Sequence, residues 1–237
     1  MSKEHIMHEN ETYFCNPAAT ALNAEQELNH GLDLLNSIDK PIATIYGSHK
    51  VTKDSEDFKL CHELAGKLAQ NGFAIATGGG SGIMEAANSA AHEHNSYSIA
   101  LRGAAFRDEQ IDADIYTHTI DFRFIFARRF ILSIKSDALI VFPGGYGTLD
   151  ELFELLVLIQ SKIIESVPVV LIREEYWAGL FNWLNEKVAA GNMLTNGQKD
   201  IALFDFANTA DEALKLVLAK RDKSDYHDKP HTCDIVK

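Results

Sequence analysis

Short, unbroken apolar runs separated by amphipathic stretches are the feature that most restricts the fold of this chain. PIATIYGS (41–48), FAIAT (73–77), YSIAL (97–101), DALIVF (137–142) and VPVVLI (167–172) are short enough for strands and too continuously apolar for strands with one face in water. Between them lie helical patterns. Asp54 to Gln70 carries Phe58, Cys61, Leu64, Ala65 and Leu68 at helical spacing and stops at Gly72. Further helices are expected across 81–94, 122–135, 149–164, 176–190 and 209–220, with a weaker strand at 115–120 and an edge segment at 201–206. Buried strands alternating with helices imply a parallel sheet with helices on both faces, a doubly wound α/β domain.

That domain is expected to span 39–221, which suits a chain of 237 residues built as one large domain with appendages. Residues 1–38 are polar and acidic, with Leu22, Leu28, Leu32 and Leu35 in a weak amphipathic pattern. They read as a helical extension lying on the body or on a partner subunit. Residues 222–237 have no period and are expected to be mobile; His227 and His231 there read as solvated histidines rather than metal ligands.

A net charge of −12 argues against nucleic acid or an anionic membrane as partner, so an anionic ligand must be held by local features. Cys15, Cys61 and Cys233 lie far apart without metal-site or disulfide spacing, which fits a reducing cytoplasm. No signal-peptide core and no membrane-spanning apolar window is present, so a cytoplasmic location is expected.

Three glycine turns follow predicted strands: Gly47-Ser48, TGGGSGIMEAA (77–87) and PGGYGT (143–148). In open parallel sheets ligands collect at the carboxyl edge of the strands. Glycine allows close approach to the backbone, and the amides opening the next helix point at an anion. Neither long loop matches GxGxxG or a Walker pattern, and YSIALRG ends in Leu101 and Arg102 rather than in an acid for a ribose diol. A mononucleotide or sugar phosphate is therefore expected, with no metal and no cofactor.

Asp150 and Glu151 follow the last loop at once, and a carboxylate beside a phosphate is repulsive. One reading needs no chemistry: Thr148 caps a helix, and Thr148-Leu149-Asp150-Glu151 forms a capping box. The other gives Glu151 a reacting role, with Arg128 brought to the same edge by a preceding antiparallel helix and placed to screen phosphate from carboxylate. Arg123 falls higher on that helix and Arg129 points elsewhere around it. A carboxylate facing a sugar phosphate suits cleavage of an N-glycosidic bond, whose transition state is oxocarbenium-like.

TGGGSGIMEAANSAA and PGGYGTLDE, with ARRF between them, resemble the Lonely Guy family of cytokinin riboside 5'-monophosphate phosphoribohydrolases, whose members often carry the label "possible lysine decarboxylase". The similarity runs from about Ile42 to about Leu184. It implies a Rossmann-like fold, a homodimer or a higher oligomer, Glu151 and Arg128 as catalytic residues, and phosphate amides at Gly144, Gly145, Gly147 and Thr148. Pro143 and Tyr146 complete that loop; Gly47, Ser48, Gly78, Gly79, Gly80, Gly82, Met84, Glu85 and Arg129 are further candidates for phosphate or ribose. Arg129 stands where the family usually has lysine, and Ser81 replaces the proline of bacterial GGGPGIMEAAN forms. Decarboxylase chemistry finds no support, because no lysine is expected at a strand edge beside the glycine loops.

The expected activity is hydrolysis of a nucleoside 5'-monophosphate, of AMP or cytokinin riboside monophosphate type, to free base and ribose 5-phosphate. The rival is a non-catalytic nucleotide or molybdenum-cofactor binding protein on the same fold, for which a carboxylate near the anion has no use.

Overall fold

The structure is a computed structural model that describes residues 16–104 and 112–221. Its elements alternate as the apolar runs require: α1 (Pro17–Ser37), β1 (Ile42–Tyr46), α2 (Glu56–Gln70), β2 (Ala74–Thr77), α3 (Ile83–Glu93), β3 (Ser98–Gly103), β4 (His118–Phe122), α4 (Ile125–Ile134), β5 (Ala138–Val141), α5 (Tyr146–Gln160), β6 (Val169–Ile172), α6 (Glu174–Trp183), β7 (Asp205–Ala207) and α7 (Ala210–Arg221). The seven strands form one parallel sheet in the order β4-β3-β2-β1-β5-β6-β7. This is a Rossmann-like doubly wound α/β fold.

Both faces of the sheet are covered, and the two-residue period of the strands sorts side chains between them. From β1, Ile42 and Tyr46 enter a core shared with α1, α4, α5 and α6, while Ala43 and Ile45 enter one shared with α2, α3 and α7. β4 is the edge, and only Ile120 and Phe122 along it are buried. That half-covered pattern carries a weaker signal than a continuous apolar run, and the strand lies two to three residues later than the sequence pattern places it. At the other end, β7 is Asp205–Ala207, shorter than the 201–206 segment expected, because Gly197–Ala202 is wound as a 3-10 turn.

Strand order reverses between β1 and β5, the switch point where such sheets open a crevice. Tyr46 is paired with Val141 across this junction, so the chain leaves both strands at the same height. The extension is a helix: Asn16 accepts from the Ala19 amide at 3.1 Å and Pro17 opens the first turn. It lies on α4, with Gly31 so close to Ile131 that an added Cβ would meet its Cγ1 at 2.8 Å. No helix among the described residues is long and apolar enough to cross a membrane. Cys15, Cys233, His227 and His231 lie outside the described residues.

Candidate active site

Ser48 ties together the loops of the switch point. Its amide donates to the Pro143 carbonyl at 3.1 Å, its carbonyl accepts from the Ile83 amide at 3.1 Å, and its hydroxyl accepts from the Lys50 amide at 3.1 Å. Gly47 beside it is packed against Ile83, whose Cγ2 lies 2.7 Å from where a Cβ would stand. Sequence reasoning offered Gly47 and Ser48 to the ligand. The structure commits the Ser48 amide and carbonyl to holding the first loop against the other two.

The two glycine-rich loops differ in kind. The loop after β2 is buried at Gly78, Gly79, Gly80 and Gly82. Thr77 accepts from the Gly79 amide at 2.9 Å and donates to buried Asn88, which in turn donates to Ser98 at 2.8 Å. Gly79 and Gly82 have φ of 65° and 66°, a conformation that costs any side-chain-bearing residue about 1 kcal/mol or more. Gly78 makes room for a side chain: a Cβ there would come 1.9 Å from Arg128 Nη2 and 3.0 Å from the Met84 sulfur. Glu85, also offered to the ligand, pairs with Lys53 at 2.8 Å.

The loop after β5 is open. Gly145, Tyr146 and Gly147 are exposed, and nothing lies within 4 Å of a Cβ added at Gly145 or Gly147. Buried Thr148 fills the space a Gly144 side chain would take, and the Tyr176 hydroxyl donates to the Gly144 carbonyl at 2.6 Å. The first amides of α5 have no intrahelical acceptor and sit at the positive end of its dipole.

α5 begins at Tyr146, three residues earlier than the pattern suggests, with Gly145 as a cap that makes no side-chain hydrogen bond. Thr148 is therefore inside the first turn, and Glu151 falls in the second turn, too far along to reach a cap amide. The capping box is overturned. Glu151 instead turns toward Arg128, with Oε1 3.7 Å from Nη1; the two side chains are 13% and 10% exposed. Arg128 is anchored by Nε, which donates to the Leu101 carbonyl at the end of β3 at 2.7 Å. Burial pushes the Glu151 carboxyl up from 4.5 to about 7, against the opposing pull of Arg128. Tyr46 lies below, its hydroxyl 3.3 Å from Ser133 Oγ. Burial, then the charge of Glu151, pushes its pKa further up, so it stays protonated.

Arg129 is directed elsewhere. It pairs with Asp150 and, through Nε at 3.1 Å, with Glu154 on the next turn of α5. The structure thus brings Glu151, Arg128, Gly78 and Met84 together, with Glu151 on the helix that opens at the exposed Gly145-Tyr146-Gly147 turn, and leaves Arg129, Glu85 and Ser48 engaged with other protein groups.

Three residues were not anticipated. Arg102 lies over Gly79, 2.6 Å from its missing Cβ, and donates from Nε to Asp121 at 2.9 Å; Tyr116 donates to the Gly79 carbonyl at 3.3 Å. Tyr46 is the third. Tyr46 ends β1 and Arg102 is the second-last residue of β3, both at the carboxyl edge, the signal that singled out the glycines. Lys53, in the stretch between β1 and α2 and not at a strand edge, reaches Glu85 in the first turn of α3. Its hydrogen bond to Glu85 raises its pKa, which keeps the amine protonated and unsuited to forming a Schiff base.

Comparison with known proteins bears on the family and the fold. Cytokinin riboside 5'-monophosphate phosphoribohydrolase LOG5 of Arabidopsis thaliana is 28% identical over 54% of this chain and 57% of its own length, so the match spans less than two thirds of that relative. The cytokinin riboside 5'-monophosphate phosphoribohydrolase of Mycobacterium marinum is 28% identical over 68% of this chain and 84% of its own. Among solved structures, the molybdenum cofactor binding protein of Rippkaea orientalis has a TM-score of 0.58 at 23% identity, covering 78% of this chain and 99% of that one. The molybdenum cofactor carrier protein of Chlamydomonas reinhardtii has a TM-score of 0.54 at 24% identity, covering 76% and 99%. At such identities these two structures speak for the fold alone. The family model described as "Possible lysine decarboxylase" matches residues 84–217, more than half of the chain and the stretch that carries Arg128 and Glu151, and the protein belongs to that family, the Lonely Guy family.

Proposed function

We propose that the protein hydrolyses the N-glycosidic bond of a nucleoside 5'-monophosphate. Water adds its hydroxyl to C1' of the ribose, the bond from C1' to the base nitrogen breaks, and the base leaves with the bonding pair and a proton. Free base and ribose 5-phosphate result. The observation that carries this reading is the meeting of Glu151 and Arg128, 3.7 Å apart, with Glu151 on the helix that opens at the exposed Gly145-Tyr146-Gly147 turn.

The open α5 amides suit the 5'-phosphate, which cannot be attracted by a chain of net charge −12 and needs a local donor set. Arg128 screens that anion from Glu151 and offers its Nη atoms to it. Glu151 is placed to orient or deprotonate water and to favour the cationic sugar over the neutral ground state. A carboxyl at about 7 exchanges protons readily at neutral pH. The relatives' names support a cytokinin riboside monophosphate as the substrate, and AMP is the plainer purine nucleotide of the same type. The working unit is read as a homodimer acting in the cytoplasm.

A second reading, a carrier of nucleotide or molybdenum cofactor, draws on the likeness of fold. It gives no use to a buried carboxylate beside the anion site. The test is incubation with a panel of nucleoside 5'-monophosphates, read by chromatography for free base, alongside Glu151→Gln. Hydrolysis is expected in the native protein, and in the variant a loss of three or more orders of magnitude with binding retained, equivalent to about 4 kcal/mol of transition-state stabilisation. Binding without release of base in the native protein would establish the carrier reading instead.

A further inference from the structure

α4 carries Arg128, yet the residue at its N-cap, Phe124, supplies no side-chain cap. The first amides of a helix have no intrahelical partner and need an outside acceptor. Here the extension supplies an acceptor for the N-cap amide and for the amide just before it. The Glu27 carboxylate on α1 accepts from the Arg123 amide at 3.0 and 3.1 Å to its two oxygens, and from the Phe124 amide at 3.1 Å. Phe124 then turns its carbonyl to the Arg128 amide at 3.1 Å. Phe124 therefore joins a carboxylate of the extension, through its N–H, to the backbone of the arginine facing Glu151, through the first intrahelical bond of α4. The negative charge also lies at the favourable end of the α4 dipole. One turn further along α1, Gly31 meets Ile131 of α4 in close contact, so the extension holds α4 at its start and again near its end.

We propose that Glu27 is a positioning residue: it fixes the height of α4 on the sheet, and through it the gap between Arg128 and Glu151. The inference concerns the same site as the hydrolysis proposed above, and its kinetic consequence rests on that reading. Its structural consequence does not. The groups that face Glu151 are Arg128 and Arg129 from α4, Asp150 and Glu154 from its own helix, and Tyr46 from β1. Of these, Arg128 gives the largest opposition to the effect of burial. Loosening the first turn of α4 draws Arg128 back, and Glu151 then holds its proton to higher pH. A cap that serves only stability leaves that titration where it is.

The experiment is a carboxyl-carbon NMR titration of the full chain labelled at glutamate, with Glu151→Gln used to assign the Glu151 signal. Glu27→Gln keeps one acceptor oxygen but loses the charge and the second acceptor; Glu27→Asp keeps the charge on a shorter arm. The Glu151 midpoint is expected to rise by about half a pH unit or more in Glu27→Gln and to return part of the way in Glu27→Asp. An unmoved midpoint in Glu27→Gln, with or without a lower melting temperature, would overturn the proposal. In kinetics, kcat is expected to fall about tenfold or more with KM changed by less than about threefold, the pattern of a group acting on the reacting pair rather than on substrate binding. If no nucleoside monophosphate is hydrolysed by the native protein, the functional reading fails while the titration still decides the role of Glu27.

Discussion

Arg128 and Glu151 face each other at 3.7 Å, close enough to attract and too far for a hydrogen bond. The separation follows from anchoring. Arg128 is held by its Nε on the Leu101 carbonyl of β3, and Glu151 is carried by α5 on the far side of β1. Neither group saturates the other, so both keep capacity for a ligand. The same gap sets the balance of forces on the carboxyl: desolvation outweighs the arginine, and Glu151 titrates at about 7.

That balance predicts the pH dependence of turnover. If the ionised carboxylate is the working form, kcat/KM falls as pH drops below about 7, approaching tenfold per unit, and levels off above it. Initial rates of base release across roughly pH 5 to 9 check this. A profile flat down to about pH 5 would mean that an ordinary carboxylate, or none, limits the reaction.

The stability of the fold should show the opposite trend. A carboxyl whose folded pKa is raised contributes stability that is present when it is protonated and declines as pH rises from the ordinary value of 4.5 through about 7. At about 1.4 kcal/mol per unit, the ionised form costs the fold at most about 3.5 kcal/mol, with the attraction of Arg128 already included. Glu151→Gln mimics the protonated acid and is expected to melt higher than the native protein at about pH 8 and at the same temperature at about pH 4. Calorimetry at the two pH values decides it; a variant that melts lower at the higher pH contradicts the burial argument.

Two glycines separate room for a ligand from room for the protein. A Cβ at Gly145 meets nothing within 4 Å, and its φ of −90° is open to any residue. Gly145→Ala is expected to leave the melting temperature within a degree or two, because exposed sites of this kind change stability by less than about 0.5 kcal/mol. It should still weaken nucleotide binding about tenfold, by placing a methyl group where the phosphate approaches. At Gly78 the Cβ would stand 1.9 Å from Arg128 Nη2, so Gly78→Ala must displace the guanidinium. Its expected signature is a fall in kcat. Calorimetric binding and steady-state kinetics on both variants distinguish the cases.

Much of this was legible in the sequence because the strongest signals are the most local. Runs such as ALIV and VVLI, buried at every position, read directly as central parallel strands, and the glycine turns after them mark the edge where a site forms. What stayed hidden depends on partners distant in the chain. Nothing near Ser48 says that its amide will meet Pro143, and nothing near Phe124 says that Glu27 will cap it. The start of α5 was misplaced for a local reason. Gly147 and Thr148 look like turn and cap residues, but the turn ends at Gly145 and they are wound into the helix.

The helix that bears Arg128 also bears the clearest candidate for a subunit contact. Phe126 and Phe130, one turn apart on α4, are 49% and 36% exposed, and Val157 on α5 is 55% exposed. The LDELFELLVLI helix is apolar nearly all round, yet its Leu152, Leu155, Leu156 and Ile159 already belong to the core of this chain. Among the described residues Leu22, Ile163, Trp183 and Met193 are exposed as well, but Phe126 and Phe130 are a pair on one face of the arginine helix. Burying a phenylalanine gains about 1.5 to 3 kcal/mol, so two per subunit, doubled by symmetry, are enough to matter to a dimer. The native protein is expected to sediment as a dimer, and Phe126→Lys/Phe130→Lys to sediment as a monomer with an unchanged far-ultraviolet spectrum. Because α4 also positions Arg128, base release should fall with dissociation. A native monomer in sedimentation would remove the dimer reading and leave this stripe as ordinary surface.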